Sequence, residues 1–306
     1  ARVGIVNKES EQWFAEYERH LDDFRKGMPL IDQYRDQAEA ACKPKIFYAD
    51  VDLVALRGRI AASRRGGLTV AQNLPNSDKL SCQLGEGSRL VFHRQIRRGI
   101  LLGQGFLDAL IAPEQHRFYS PDASFLATIG HEMGHSVGPV KTHDGRDARA
   151  ALGSQGATIE ESKADLISLC MTDYFQSIGV FTDEQANQIY LTRVAFHLPF
   201  KQPRDDEAHK MREIMQLNYF REKGAILFEK GGKLSIVPEK MPETAKQMLT
   251  EIIAMQLEGD AAKADAFVKK YAAWNDAAQH AADERKKLNP NMYYCLRQPM
   301  AEKLCL

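Results

Sequence analysis

Apolar residues in this chain recur mainly at intervals of three and four, the spacing that lines one face of a helix. Trp13, Phe14, Tyr17, Leu21 and Phe24 show it first, behind Ser10, which reads as the helix cap. A short β-like stretch over 45–49 follows. A helical segment through Val54 and Ile60 then runs to a break at Arg64-Arg65-Gly66-Gly67. Residues 68–71 and 89–92 read as strands, separated by the turn-rich Asn73-Leu74-Pro75-Asn76-Ser77-Asp78. From about residue 100 helices take over, at 100–112, 121–137, 157–177, 182–196, 206–223, 243–258 and 260–287. One hairpin interrupts them, 225–228 with 234–237 around Lys230-Gly231-Gly232-Lys233. The pattern predicts an α+β protein, predominantly α-helical. A mixed α/β segment is expected over 1–98 and a helical lobe over 99–306.

Composition narrows the class without naming a chemistry. At 306 residues the chain can bury a core without disulfides. Its 41 Lys plus Arg balance 41 Asp plus Glu, so it lacks the basic excess of a nucleic-acid binder. No apolar run nears the roughly 18 residues that span a bilayer, so no membrane partner is expected. Arginines at 57, 59, 64, 65, 94, 97 and 98 tilt the first third basic, which reads as a solvated face. The five cysteines (Cys42, Cys82, Cys170, Cys295, Cys305) form no C-x-x-C pair and read as free thiols, with a Cys295–Cys305 pairing left open. So sparse a set tilts the expectation towards a reducing, cytoplasmic compartment. The opening Ala1-Arg2-Val3-Gly4 lacks an initiator Met. Either residues upstream were removed, or the sequence is part of a longer protein.

The chemistry lies in Gly130-His131-Glu132-Met133-Gly134-His135, an H-E-x-x-H pattern on a helix whose apolar stripe is Phe125, Leu126, Ile129 and Met133. Spacing of four puts His131 and His135 one turn apart on one face, where both imidazoles can converge on a cation. Glu132 stands beside them to handle its water. The longer zinc pattern with a third His would need it at Lys141, so His143 reads as a loop residue. Downstream, Glu160-Glu161-Ser162-Lys163-Ala164-Asp165 opens a second helix, with positions 161 and 165 on one face. Glu160, Glu161 and Asp165 can supply one further ligand and two acceptors for the outer ring nitrogens of the histidines.

These two segments resemble those of the dipeptidyl peptidase III family of zinc metallopeptidases. Asn73-Leu74-Pro75-Asn76-Ser77-Asp78 is similar to a further family segment, and Ala208-His209, Gly224-Ala225 and Gly259-Asp260 follow in family order. The resemblance implies a zincin-like lobe holding one Zn²⁺ per chain on His131, His135 and Glu161. It further implies Glu132 as catalytic base and His209 as the group that stabilises the transition state. Glu160 and Asp165 would support the ligands, and Asn73 and Asn76 would hold the substrate backbone. Two departures stand out. The position four after His209, usually Arg, is Glu213, with Arg212 beside it, and only 72 residues precede Asn73 where family members carry a large region that recognises the peptide amine. Some relatives are fused to a Nudix hydrolase domain, whose signature box this sequence lacks.

The resulting expectation is a zinc metallopeptidase acting on oligopeptides, its cleft completed by a missing N-terminal region or a partner chain. Two rivals are a catalytically silent zinc-binding lobe and a zinc hydrolase acting on a non-peptide amide, ester or lactone. Pocket shape, not the metal motif, separates the last from a peptidase.

Overall fold

The strands of the first hundred residues assemble into one four-stranded sheet. The computed structural model describes residues 2–40, 46–56, 71–74, 88–93 and 103–288. Strands β1 (Arg2–Val6), β2 (Ile46–Leu56), β3 (Ala71–Leu74) and β4 (Ser88–His93) lie in the order β1-β2-β4-β3. β2 runs parallel to β4 and antiparallel to β1, and β3 runs antiparallel to β4 with Asn73 opposite Leu90. Helix α1 (Glu11–Lys26) stacks Phe14 on Tyr48, ring centroids 5.1 Å apart, and tilts it against Phe92 at 5.4 Å.

One expectation needs correction here. Residues 51–56, read as the start of a helix, continue β2, because β1 supplies an antiparallel partner along that stretch. A five-residue strand at the chain start is too short to show in the pattern. Ser10, expected as the cap, stands directly before α1. Its hydroxyl donates to buried Asp50 at 2.8 Å, while Asn7 Oδ1 accepts the Glu9 amide and opens the turn leading into the helix. The expected helix beyond residue 56, the strand residues 68–70 and the seven arginines lie outside the described residues.

The chain divides into two compact units, and the sheet with residues 2–20 forms the first. The second takes the end of α1 together with α2 (Arg35–Ala40) up to Glu39, and residues 103–288. Its helices are α3 (Gln104–Leu110), α4 (Pro121–Gly134), α5 (Ala148–Ala151), α6 (Gly156–Ser177), α7 (Asp183–His197), α8 (Ala208–Glu222), α9 (Met241–Glu258), α10 (Ala261–Tyr271) and α11 (Asp276–Leu288). A hairpin, β5 (Ile226–Phe228) and β6 (Leu234–Ile236), separates α8 from α9. The expected helical predominance is borne out.

Helix α6 is the core of this unit. Ile159, Leu166, Ile167, Leu169, Met171 and Phe175 are fully buried, and α4, α7, α8 and α9 pack around it. A helix buried on every side is apolar all round and shows little amphipathic stripe. The single helix expected over 260–287 breaks at 272–275. Asn275 Oδ1 caps α11 by accepting the Ala278 amide at 3.0 Å, and Asn218 Nδ2 donates to the Tyr271 and Ala273 carbonyls. Unbroken apolar spacing across the gap conceals this cap.

Among the described residues the only cysteine is Cys170, a free thiol that desolvation pushes up to about 12. The other four cysteines lie outside them. No described helix is long and apolar enough to cross a membrane.

Candidate metal centre

Helix α4 starts on Ser120, whose hydroxyl accepts the Ala123 amide at 3.3 Å, with Pro121 at its first position. Two glycines then let it press against α6. A Cβ at Gly130 would lie 2.7 Å from Ser168 Oγ, and one at Gly134 would lie 2.7 Å from the Ala164 carbonyl oxygen. Neither site has room for a methyl group. His135 follows Gly134 with helical dihedrals (φ −61°, ψ −29°), so the four-residue spacing from His131 is preserved. The two imidazoles stand edge to face, 4.8 Å between centroids.

The first turns of α6 bring three carboxylates to these rings. Glu161 Oε2 lies 3.5 Å from His131 Nε2, and donor atoms of His131, His135 and Glu161 all fall within 4.8 Å of one another. Asp165 Oδ1 meets His131 Nδ1 at 2.7 Å, and Glu160 Oε1 meets His135 Nδ1 at 3.3 Å. An ionised carboxylate only accepts, so each Nδ1 is the donor, which leaves Nε2 as the atom of each ring able to face a metal. Burial lowers the His131 pKa to about 4, leaving the ring neutral and ligand-competent at neutral pH.

The supporting carboxylates have partners of their own. Glu160 also accepts from Lys163 Nζ at 2.9 Å and from Gln256 Nε2 at 3.1 Å. Burial pushes its carboxyl up, but Lys163 and His135 outweigh that and hold it at about 2. Asp165 is fully buried. One oxygen contacts Arg193 on α7 and the other contacts Arg212 on α8, with His197 Nε2 3.4 Å from the latter oxygen. Sequence reasoning gave Arg193, His197, Lys163 and Gln256 no role and noted Arg212 only for its offset. A signal did exist in Thr192-Arg193-Val194-Ala195-Phe196-His197, where two polar residues four apart interrupt an apolar run.

Glu132 is half-buried, and that burial raises its carboxyl above the ordinary range. His209, at the start of α8 and largely exposed, brings Nδ1 to 2.9 Å from Glu161 Oε2, and this carboxylate raises its pKa. Glu161 Oε2 is buried and meets no donor in full hydrogen-bond geometry, its nearest polar neighbours being His209 Nδ1 at 2.9 Å and His131 Nε2 at 3.5 Å. A buried anionic oxygen so placed beside the imidazoles of His131 and His135 fits a cation. Two histidines and a glutamate are also a known donor set of catalytic zinc sites, which keep a further position open. Asn73 pairs through its backbone in β3, and Asn76 lies outside the described residues. His143 sits in the loop after α4, its amide donating to the Leu257 carbonyl at 2.7 Å.

His197 offers a test of the buried network. Burial, with Lys210 and His131 contributing, lowers its pKa from 6.5 to about 3; Asp165 and Arg212 also face it. Below pH 6.5 the unfolded chain takes up a proton that the folded chain refuses. Stability from this group is therefore complete above 6.5 and drains away towards pH 3. His197→Gln is expected to lose stability less steeply than the parent between pH 6.5 and 4. The difference should approach about 1.4 kcal/mol per pH unit in urea unfolding. Parallel curves would mean that His197 is charged in the folded protein.

Comparison with known proteins fits this architecture. No protein-family model matches the chain. It is 25% identical over 306 residues to Nudix hydrolase 3 of Arabidopsis thaliana, covering 99% of this chain and 39% of that protein. The dipeptidyl peptidase III structure from Caldithrix abyssi superposes with a TM-score of 0.83 at 22% identity, covering 94% of this chain and 54% of the other. The dipeptidyl peptidase III structure from Corallococcus sp. strain EGB gives 0.78 at 23% identity, covering 99% and 56%. Over most of its length the chain has the dipeptidyl peptidase III fold, and it spans about half of those two chains.

Proposed function

We propose that this chain is the catalytic lobe of a zinc metallopeptidase that hydrolyses peptide bonds of oligopeptides in the manner of dipeptidyl peptidase III. One observation carries the reading. His131, His135 and Glu161 converge within 4.8 Å, with both outer ring nitrogens held by carboxylates and one Glu161 oxygen orphaned. These three residues would hold the metal. When bound, zinc supplies a Lewis acid that polarises a carbonyl and makes a water more acidic.

The chain's own groups divide the remaining work. Glu132, its carboxyl raised by burial, takes the proton of the attacking water and delivers it to the leaving amine. His209 donates a hydrogen bond to the substrate oxygen as negative charge develops there. Asn73 and Asn76 hold the peptide backbone. The rest of the cleft comes from a region beyond this sequence or from a partner chain, in keeping with a chain about half as long as the structures it matches.

That same half-length coverage favours one rival, a zinc-binding lobe silent on its own. Metal analysis combined with cleavage profiling against a mixed peptide library separates the two. The expected result is one zinc per chain, with peptide cleavage that a chelator abolishes and added zinc restores. A chain that holds its zinc yet cleaves no peptide overturns the peptidase reading and leaves the silent lobe or the non-peptide hydrolase.

A further inference from the structure

We propose that Arg193 and Arg212 are positioning residues for the metal centre, fixing the Asp165 carboxylate so that its Oδ1 locks the His131 ring in its ligating orientation. This rests on the zinc reading above.

Asp165 has no exposure, so protein alone decides its orientation. A carboxylate held at one oxygen can still swing about its last torsion. Here the guanidinium of Arg193 sits on Oδ1 and that of Arg212 on Oδ2, and the two arrive from different helices, α7 and α8. Rigid, planar guanidinium groups against both oxygens oppose that motion. The fixed Oδ1 stands 2.7 Å from His131 Nδ1, and the same ring points Nε2 at Glu161 Oε2, 3.5 Å away.

Stability alone is a poor account of the arrangement. Buried ion pairs contribute little net stability against well-packed apolar residues, and this one places two cations on one anion. What the pairing does accomplish is to join four helices at one carboxylate: α4 through His131, α6 through Asp165, and α7 and α8 through the arginines. Arg212 also lies one turn after His209, so the same tether fixes the helix that carries His209 to 2.9 Å from Glu161.

The test uses the full chain and compares Arg193→Gln and Arg212→Lys with the parent. Three readouts are needed: zinc affinity by chelator competition, the visible absorption of the cobalt-loaded protein, and thermal unfolding without metal. Either substitution is expected to weaken zinc about 10- to 100-fold and to shift the cobalt bands. Both effects should vanish in an Asp165→Asn background, where the arginines have no carboxylate to hold. A lowered melting temperature with unchanged zinc affinity and cobalt spectrum overturns the inference, and so do effects that simply add to Asp165→Asn. If Arg193→Gln does not fold, Arg193→Lys, which keeps the charge but not the planar fork, carries the same comparison. A parent that binds no zinc removes the metal reading itself, whereas a tight-binding parent with unaffected variants removes only the role of the arginines.

Discussion

A Glu161→Ala chain is expected to purify without zinc under conditions where the parent retains one ion per chain. Glu161 is the only anionic member of the His131–His135–Glu161 group, and its Oε2 is the buried atom that lacks a hydrogen-bond partner. Removing it leaves two imidazoles, too few donors and no anionic group to offset a dication. The loss of affinity should exceed the roughly 10- to 100-fold seen when only an outer hydrogen-bond partner of a ligand is changed. The metal-free fold loses in addition the contacts of Glu161 with His209 Nδ1 at 2.9 Å and His131 Nε2 at 3.5 Å. Metal analysis alongside thermal unfolding of the metal-free forms reads both quantities. Stoichiometric zinc in the variant would move the third ligand elsewhere, with Glu132 and Glu160 next to be substituted.

The parts of this centre visible in the sequence are those set by a single helix. A spacing of four on α4 brings His131 and His135 to one face whatever surrounds them, and the first turns of α6 give Glu160, Glu161 and Asp165 fixed relative positions. The two glycines of Gly130-His131-Glu132-Met133-Gly134-His135 hint at the close approach of the helices, although their role emerges only once Ser168 and Ala164 are found opposite them. What the sequence conceals depends on pairing across the fold. Arg193 and Arg212 reach Asp165 from separate helices, and no local period announces such a convergence. Residues 51–56 are extended because β1 lies alongside them, a partner distant in sequence that periodicity cannot supply. The end of α10 is set by the side chain of Asn218 on another helix, which is equally invisible to local spacing.

Glu132→Gln is expected to lower peptide turnover by about 10²- to 10⁴-fold, the usual contribution of a general base, while zinc content stays at one per chain. The substitution preserves the size of the side chain and leaves His131, His135, Glu161 and their supporting carboxylates untouched. It removes only the oxygen able to accept and return a proton. Burial raises the carboxyl of Glu132, and that places its proton affinity nearer to what a water-to-amine shuttle requires. The acid side of the parent's pH–rate profile should accordingly reflect this carboxyl and be missing from whatever activity the variant keeps. The substitution also separates metal binding from catalysis. Glu161→Ala should abolish activity by emptying the site, and Glu132→Gln should lower it with the site filled. Undiminished turnover by Glu132→Gln would assign the proton transfer to another group, His209 being the nearest titratable candidate around Glu161.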